Sequence, residues 1–411
     1  MRKRVVITGI GVIASNGIGR DAFWEVLFKG VSGIKPVTLF DTAAFKAKTA
    51  GEITYFQPQD FLGQKGLRTL DRSTKLVACA AHLALRDAHI EIDESNAHTV
   101  GVAIGCTLGS LSSICDFDKT ALTEGPQYAN PALFPNTVFN SPASEVSIKL
   151  GMKGFNATIA TGFTASLDAL KYAWDSISAG RATVALAGGV EELCSQTYLG
   201  FFKAGCLAGT QDGGVELSCP FDKRRNGVVL GEGSCVLALE ALESAIHRGA
   251  HIYAELLSVG VSFDPYGVNV YNPKGEGLYA SMVMALNDAR LDSADIDCIL
   301  AGANSTPAAD KIEAEAINRV FSKNSPEVGV SAIKSMVGEC FSAGGALQMA
   351  AAMGAIAKQA VPPTINYQEK DPDCDVELAT RAVSRTVDTV LVNAFGPSGC
   401  NTSVLVKRYT A

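Results

Sequence analysis

A chain of 411 residues, 47% hydrophobic and 19% charged, can bury a large core and exceeds the ~100 to 200 residues of one small domain. Its net charge of −7 and lack of long Lys/Arg runs exclude nucleic acid as the main partner, since phosphate binding needs concentrated positive charge. Eleven cysteines scattered singly, with no Cys-x-x-Cys pair, read as small apolar residues of a cytoplasmic protein, not as a disulfide framework.

After Met1-Arg2-Lys3-Arg4, Val5 to Ile7 predicts a first core strand. The apolar run and small-residue cleavage site of a secretory signal do not follow. Gly9-Ile10-Gly11-Val12-Ile13-Ala14 formally matches the dinucleotide fingerprint, but no strand-terminal acid sits about 20 residues on, so a structural turn is expected. Val100 to Ile104 reads as a buried strand. Leu108, Leu111, Ser112 and Cys115 then recur at helical spacing on one face, with Leu133 and Phe134 in an adjacent loop. Ser166 to Ser178 reads as a helix, and Thr183 to Ala187 as a strand entering a turn at Gly188-Gly189.

A closing strand, Gly231 to Leu237, follows, and His247-Arg248-Gly249-Ala250 ends the first unit. The second half repeats the pattern: strand Cys298 to Ala301, helix Ala309 to Phe321, then Thr389 to Gly396 and Gly399 to Leu405. Between them Ser342 to Ala360 carries Gln348, Lys358 and Gln359, so it predicts a buried helix and no membrane span. The expectation is a duplicated α/β domain with parallel buried strands, divided into residues 1–252 and 253–411. No low-complexity linker separates the halves, which are expected to move as one body.

Particular motifs carry a family resemblance. They are Arg4-Val5-Val6-Ile7-Thr8-Gly9-Ile10-Gly11, Ala187-Gly188-Gly189, Pro220-Phe221-Asp222, Gly231-Glu232-Gly233, Lys334-Ser335-Met336-Val337-Gly338 and Val361-Pro362-Pro363-Thr364-Ile365-Asn366. Together they resemble the β-ketoacyl-(acyl carrier protein) synthases over essentially the whole chain. The resemblance implies a thiolase fold, two α/β halves in a five-layered αβαβα arrangement. It also implies a cysteine that holds an acyl chain and two histidines that assist decarboxylation of malonyl thioester.

Here the flanking motifs align those three positions with Phe163, Gly302 and Glu339. A phenyl ring cannot attack a thioester and glycine cannot move a proton, so both the covalent and the acid/base routes are closed. The five histidines, His82, His89, His98, His247 and His251, all precede the segments where the family's two belong. Lys334 is the retained family lysine; a buried ammonium needs a carboxylate, and Glu339 and Asp310 are the candidates. Glu339 is expected to plug the site near Lys334 or on backbone amides. Phe163 either fills core space or occludes the acyl position, and both can hold together. Phe395-Gly396-Pro397-Ser398-Gly399 stands where active relatives carry a swinging Gly-Phe-Gly-Gly gate, and Pro397 stiffens it.

A condensing-enzyme chain without its catalyst is similar in kind to the chain length factor of type II polyketide synthases. That resemblance implies a heterodimer with an active ketosynthase and an acyl tunnel crossing the interface. It implies substrate carried on the phosphopantetheine of an acyl carrier protein, with no cofactor or metal bound by the chain itself. The chain-length gate is expected at Leu108, Leu111, Ser112 and Cys115, with Leu133 and Phe134 as further wall; the same face could be ordinary dimer core. Lys65, Arg68 and Arg72 are a basic cluster where active relatives dock the carrier protein, or simply a solvated face. A relict decarboxylase or unconventional acyltransferase, and a homodimeric acyl-binding scaffold, stay open as alternatives.

Overall fold

The computed structural model describes residues 2–211, 213–321 and 328–410. Among these, eleven strands form one sheet. The first half contributes β1 (Val5–Ala14), β2 (Val100–Gly105), β3 (Asn156–Ile159), β4 (Val184–Glu191) and β5 (Gly233–Ala241). The second contributes β6 (Ala254–Phe263), β7 (Cys298–Leu300), β8 (Gly329–Ser331), β9 (Thr389–Phe395) and β10 (Cys400–Lys407), and the two-residue strand Gly17–Ile18 pairs with β1.

Read outward from the centre, one half runs β1-β5-β4-β2-β3 and the other β6-β10-β9-β7-β8. The inner pairs β1/β5, β5/β4, β6/β10 and β10/β9 are antiparallel, and the outer pairs β4/β2, β2/β3, β9/β7 and β7/β8 are parallel. The parallel buried strands expected are the outer ones of each half, and antiparallel pairs join them toward the centre because β4 and β5, like β9 and β10, run beside each other in opposite directions. The halves join where Val5–Ile7 pairs antiparallel with Ala254–Leu256.

Helices α1 (Arg72–Ala88), α2 (Leu111–Thr123), α3 (Ser141–Leu150), α4 (Ala165–Ser178), α5 (Glu276–Ala289), α6 (Pro307–Val320) and α7 (Gly344–Lys358) complete the layers. On the outside, α1 packs on β1 and β5, while α5 packs on β6 and β10 beside α6. In the middle α4 packs on β4 and β2, and α7 on α4, β9 and β5, so the two central helices lie between the halves. The sequence of α7, GGALQMAAAMGAIAK, explains its place: small and apolar on every side, it is buried from Gly344 to Ile356.

Two glycine readings change. Gly9 and Gly11 lie inside β1, and a Cβ at Gly11 would come 1.8 Å from the Ala80 carbonyl oxygen, so they let α1 approach the strand. Gly188 and Gly189 sit within β4, and a Cβ at Gly189 would meet the Ser342 carbonyl oxygen at 2.2 Å. In the second repeat a short glycine turn, Gly396 to Gly399, with φ 92° at Gly399, joins the paired strands directly, whereas in the first a long segment lies between β4 and β5. All eleven cysteines are free. No helix among the described residues is long and apolar enough to cross a membrane.

Candidate functional site

Two short turns lead into the central helices and meet. Gly162–Thr164 precedes α4, and Phe341–Ala343 precedes α7. The first is fixed from within, the Thr161 and Thr164 hydroxyls both donating to Asp168, which also accepts from Thr402 of β10 at 2.6 Å. Gly162, at φ 73°, makes the bend that presents Phe163.

The Phe163 and Phe341 rings meet edge to face, centroids 5.5 Å apart, and Phe201 packs on Phe341 at 5.1 Å. On another side the Phe163 ring lies against Gly396, where a Cβ would come 2.7 Å from Cδ2. Phe341 holds a left-handed φ of 44°, and its N–H donates to Glu339 Oε1 at 2.9 Å. An aromatic cluster therefore fills the mouth of α4.

Behind it lies a closed polar set. Lys334 Nζ donates to Glu339 Oε2 and to the Gly302 carbonyl, both at 2.8 Å, and Asn304 Nδ2 donates to the same Glu339 oxygen at 2.9 Å. Glu339 is thus the partner of Lys334. Asp310, the other candidate, accepts the backbone N–H groups of Phe221 and Asn304 and faces Arg225 at 3.8 Å. Burial pushes the Asp310 carboxyl up to about 6.

Gly302 is tightly surrounded: a Cβ there would come 3.1 Å from both the Asn393 carbonyl oxygen and the Phe395 ring, so a side chain would require those neighbours to give way. Its N–H donates at 2.9 Å to Glu313 Oε1, a carboxyl raised to about 7 by burial. The thiol nearest in sequence to Glu339, Cys340, is fully buried and donates to the Glu232 carbonyl at 3.5 Å. Burial, and then the Glu339 charge, raise its pKa far beyond the range of a reactive thiol. Among the described residues no group of three His, Cys, Asp or Glu could hold a metal ion.

The structure brings Phe163, Gly302, Lys334 and Glu339 into one site. Sequence reasoning missed Asn304, Phe341 and Ser342, although all lie in quoted or adjacent motifs; the signal was a set of polar and bulky residues in otherwise small-residue segments. The gate candidates separate. Leu108 precedes α2 and packs against the same hydrophobic cluster as Phe163, one that includes Phe341, whereas Leu111, Ser112 and Cys115 lie half-buried in the helix itself. The single helical face expected for all four is therefore corrected: Ser110 is the N-cap, so Leu108 belongs to the loop. Leu133 and Phe134 stand on the 3-10 helix Pro131–Thr137, 39% and 57% exposed.

The basic cluster is also corrected. Lys65 and Arg68 are exposed, but the Arg72 guanidinium is bound to buried Glu232 at 2.5 and 2.7 Å and to the Ile53 carbonyl at 3.0 Å. Bidentate pairing commits Arg72 to the interior.

Comparison with known proteins matches two family models, the Beta-ketoacyl synthase N-terminal domain at residues 2–245 and its C-terminal domain at residues 253–368. The chain is 37% identical over 409 residues to the 3-oxoacyl-[acyl-carrier-protein] synthase 2 of Coxiella burnetii, covering 99% of each. Against the protein of the same name from Synechocystis it is 35% identical over 410 residues, again covering 99% of each. Among solved structures it is similar to the ishigamide ketosynthase/chain length factor, with 33% identity, TM-score 0.93 and full coverage of both chains. A type II PKS acyl-carrier protein in complex with its ketosynthase bound to the hexaketide matches with 30% identity, TM-score 0.91 and full coverage of both chains.

Proposed function

The chain belongs to the β-ketoacyl synthase family, and on that premise we propose that it is a non-catalytic chain length factor. It pairs with an active ketosynthase and shapes the tunnel into which the acyl chain grows. The observation that carries this reading is the occupied site: a phenyl ring stands at the mouth of α4, and Lys334 is closed on Glu339 and the Gly302 carbonyl. No side chain there offers a nucleophile or a free proton donor at the acyl position.

Physical features on the surface support a partner. Strand β3 ends the sheet order, so one side of its backbone is left for another strand. Beside it α3 packs on β3 and on Pro131–Thr137, which packs on α2. This region exposes Leu122 at 84%, Tyr128 at 65%, Phe134 at 57% and Phe139 at 51%, an apolar patch suited to an obligate interface. In this reading α2 and Pro131–Thr137 lie where the partner's acyl chain arrives, and chain length is a matter of volume. Each further carbon pair beyond the wall would overpack at about 1–3 kcal/mol.

The acyl chain is delivered as a thioester on the phosphopantetheine of an acyl carrier protein. Lys65 and Arg68 are the exposed cations offered to an acidic carrier, a contact of modest strength beside that of the active subunit.

The relatives named as synthases favour a second reading, a catalytic one. It requires a catalyst in place of Phe163, and the buried, high-pKa thiol of Cys340 does not supply one. Coexpression with active ketosynthases of the same genome tests the choice. The expected result is a stoichiometric complex that makes polyketide only when both chains are present. Turnover of malonyl-carrier protein by this chain alone would overturn the reading.

A further inference from the structure

Strand β4 ends at one carboxylate, Glu191, and a second, Glu192, follows immediately after it. Both are buried, at 0% and 4% exposure, and neither forms an ion pair among the described residues. A buried carboxyl without a cation is held only by hydrogen bonds, so its partners define its role.

Those partners converge on one loop. Glu191 Oε1 accepts the Leu108 N–H at 3.0 Å, and Oε2 accepts that of Thr107 at 3.4 Å. The Ser342 hydroxyl lies 2.6 Å from Glu191 Oε2 and 2.7 Å from Thr107 Oγ1, and the Thr107 hydroxyl donates to the Gly162 carbonyl at 3.2 Å. Glu191 thus ties the start of the Thr107–Ser112 loop to both turns of the occupied site. Glu192 Oε1 accepts the Ser112 N–H at 3.2 Å, in the first turn of α2, while Ser110 is held by the Ser73 hydroxyl at 2.8 Å. A carboxyl on the free amides of a helix N-terminus both satisfies them and favours the dipole. Leu108 and Leu111, the two bulky gate candidates, lie on this backbone between its anchors.

We propose that Glu191 and Glu192 are the positioning residues of the chain-length gate, an inference that rests on the function proposed above. They touch no substrate; they set where the Leu108 and Leu111 side chains stand, and so where growth stops. Burial supports this, raising the Glu191 carboxyl to about 7 and the Glu192 carboxyl to about 8, the latter also raised by Asp71. A protonated carboxyl remains an acceptor for the amides without the cost of a buried charge.

The test reads product length from the complex with the active ketosynthase for Leu111→Ala, Glu192→Ala and Glu192→Gln. Leu111→Ala is expected to shift the products by at least one two-carbon unit toward longer chains. Glu192→Ala is expected to shift or broaden the distribution likewise while the complex still copurifies, and Glu192→Gln, which keeps an acceptor for Ser112, to restore the parental lengths. A merely structural role would lower yield and leave the lengths alone. Parental lengths from Glu192→Ala beside a shift from Leu111→Ala would overturn this inference only. Parental lengths from all three variants, in intact complexes, would overturn the gate and the inference with it.

Discussion

Lys334 Nζ and Glu339 Oε2 lie 2.8 Å apart, with side chains 5% and 1% exposed, where the family's active members are expected to carry a lysine and a histidine. In the function proposed above, a buried ion pair takes the place of a proton-transfer site, and breaking such a pair leaves a charge without compensation. Glu339→Gln is therefore expected to destabilise the protein by about 3–5 kcal/mol, because Lys334 is left with neutral acceptors, the Gly302 carbonyl and the Gln amide oxygen, and no opposite charge. The double variant Lys334→Met/Glu339→Leu is expected to recover most of that loss. Urea denaturation of the three proteins checks this, and equal stability of parent and Glu339→Gln would show that the pair is not charged.

Reinstating the missing thiol should not reinstate the chemistry. Phe163→Cys places a thiol two residues before the start of α4, where the helix dipole lowers its pKa, so alkylation by iodoacetamide is expected. Condensation is still expected to stay at background, because Gly302 and Glu339 supply no imidazole and Lys334 is occupied. Adding Gly302→His cannot repair this cleanly, since a Cβ already meets the Asn393 carbonyl and the Phe395 ring at 3.1 Å. Mass spectrometry of the alkylated chain and a malonyl-dependent condensation assay give the two readouts. Turnover by the single variant would mean that the acid/base machinery survives in some other group.

These residues also mark what the sequence could tell. That no Cys or His stands at Phe163, Gly302 and Glu339, the positions the motifs align with the family's catalytic residues, was legible in the sequence itself. So were the paired halves, through the repeated apolar strand preceding a glycine and a closing strand. What was not legible was who fills the space. Nothing in a linear reading joins Asn304 to Glu339, 35 positions apart, or sends Thr107 to Gly162. The Gly9–Ala14 segment misled because glycines in a turn and glycines in a strand lying under a helix share one spelling; the approach of Ala80 to Gly11 shows which is present. Arg72 misled for the opposite reason: its buried partner, Glu232, is 160 residues away.

Stability should depend on pH through the Glu192 carboxyl. Burial first, then Asp71 and Glu191, raise it to about 8, against an unfolded value near 4.3. Between those values the folded chain binds the extra proton, so stability falls as pH rises through the window and the loss is complete above about 8. At about 1.4 kcal/mol for each pH unit the window spans, the effect amounts to a few kcal/mol. Glu192→Gln removes this dependence; it should match the parent near pH 5 and exceed it near pH 8.5, with a residual slope from Glu191, which is raised to about 7. Thermal melts of both proteins across that range decide it. Parallel melting curves at every pH would show that Glu192 ionises as an ordinary surface carboxylate.

The exposed apolar patch gives the last prediction. Leu122 and Phe134 are 84% and 57% exposed, and the Phe134 ring meets Phe117 of α2 at 6.1 Å, so the patch is an ordered surface and not a fraying end. Apolar side chains this open to water add little to the fold of the single chain, and their replacement should change its stability by no more than about 0.5 kcal/mol. A large interface, by contrast, depends on buried aromatic anchors, each contributing about 2 kcal/mol or more. Leu122→Lys combined with Phe134→Glu is therefore expected to leave melting of the isolated chain unchanged and to abolish copurification with the ketosynthase, at high salt as well as low. Loss of the complex only at high salt would point to charged contacts elsewhere. An undisturbed complex would remove this face from the interface, and with it the placement of α2 beside the partner's acyl chain.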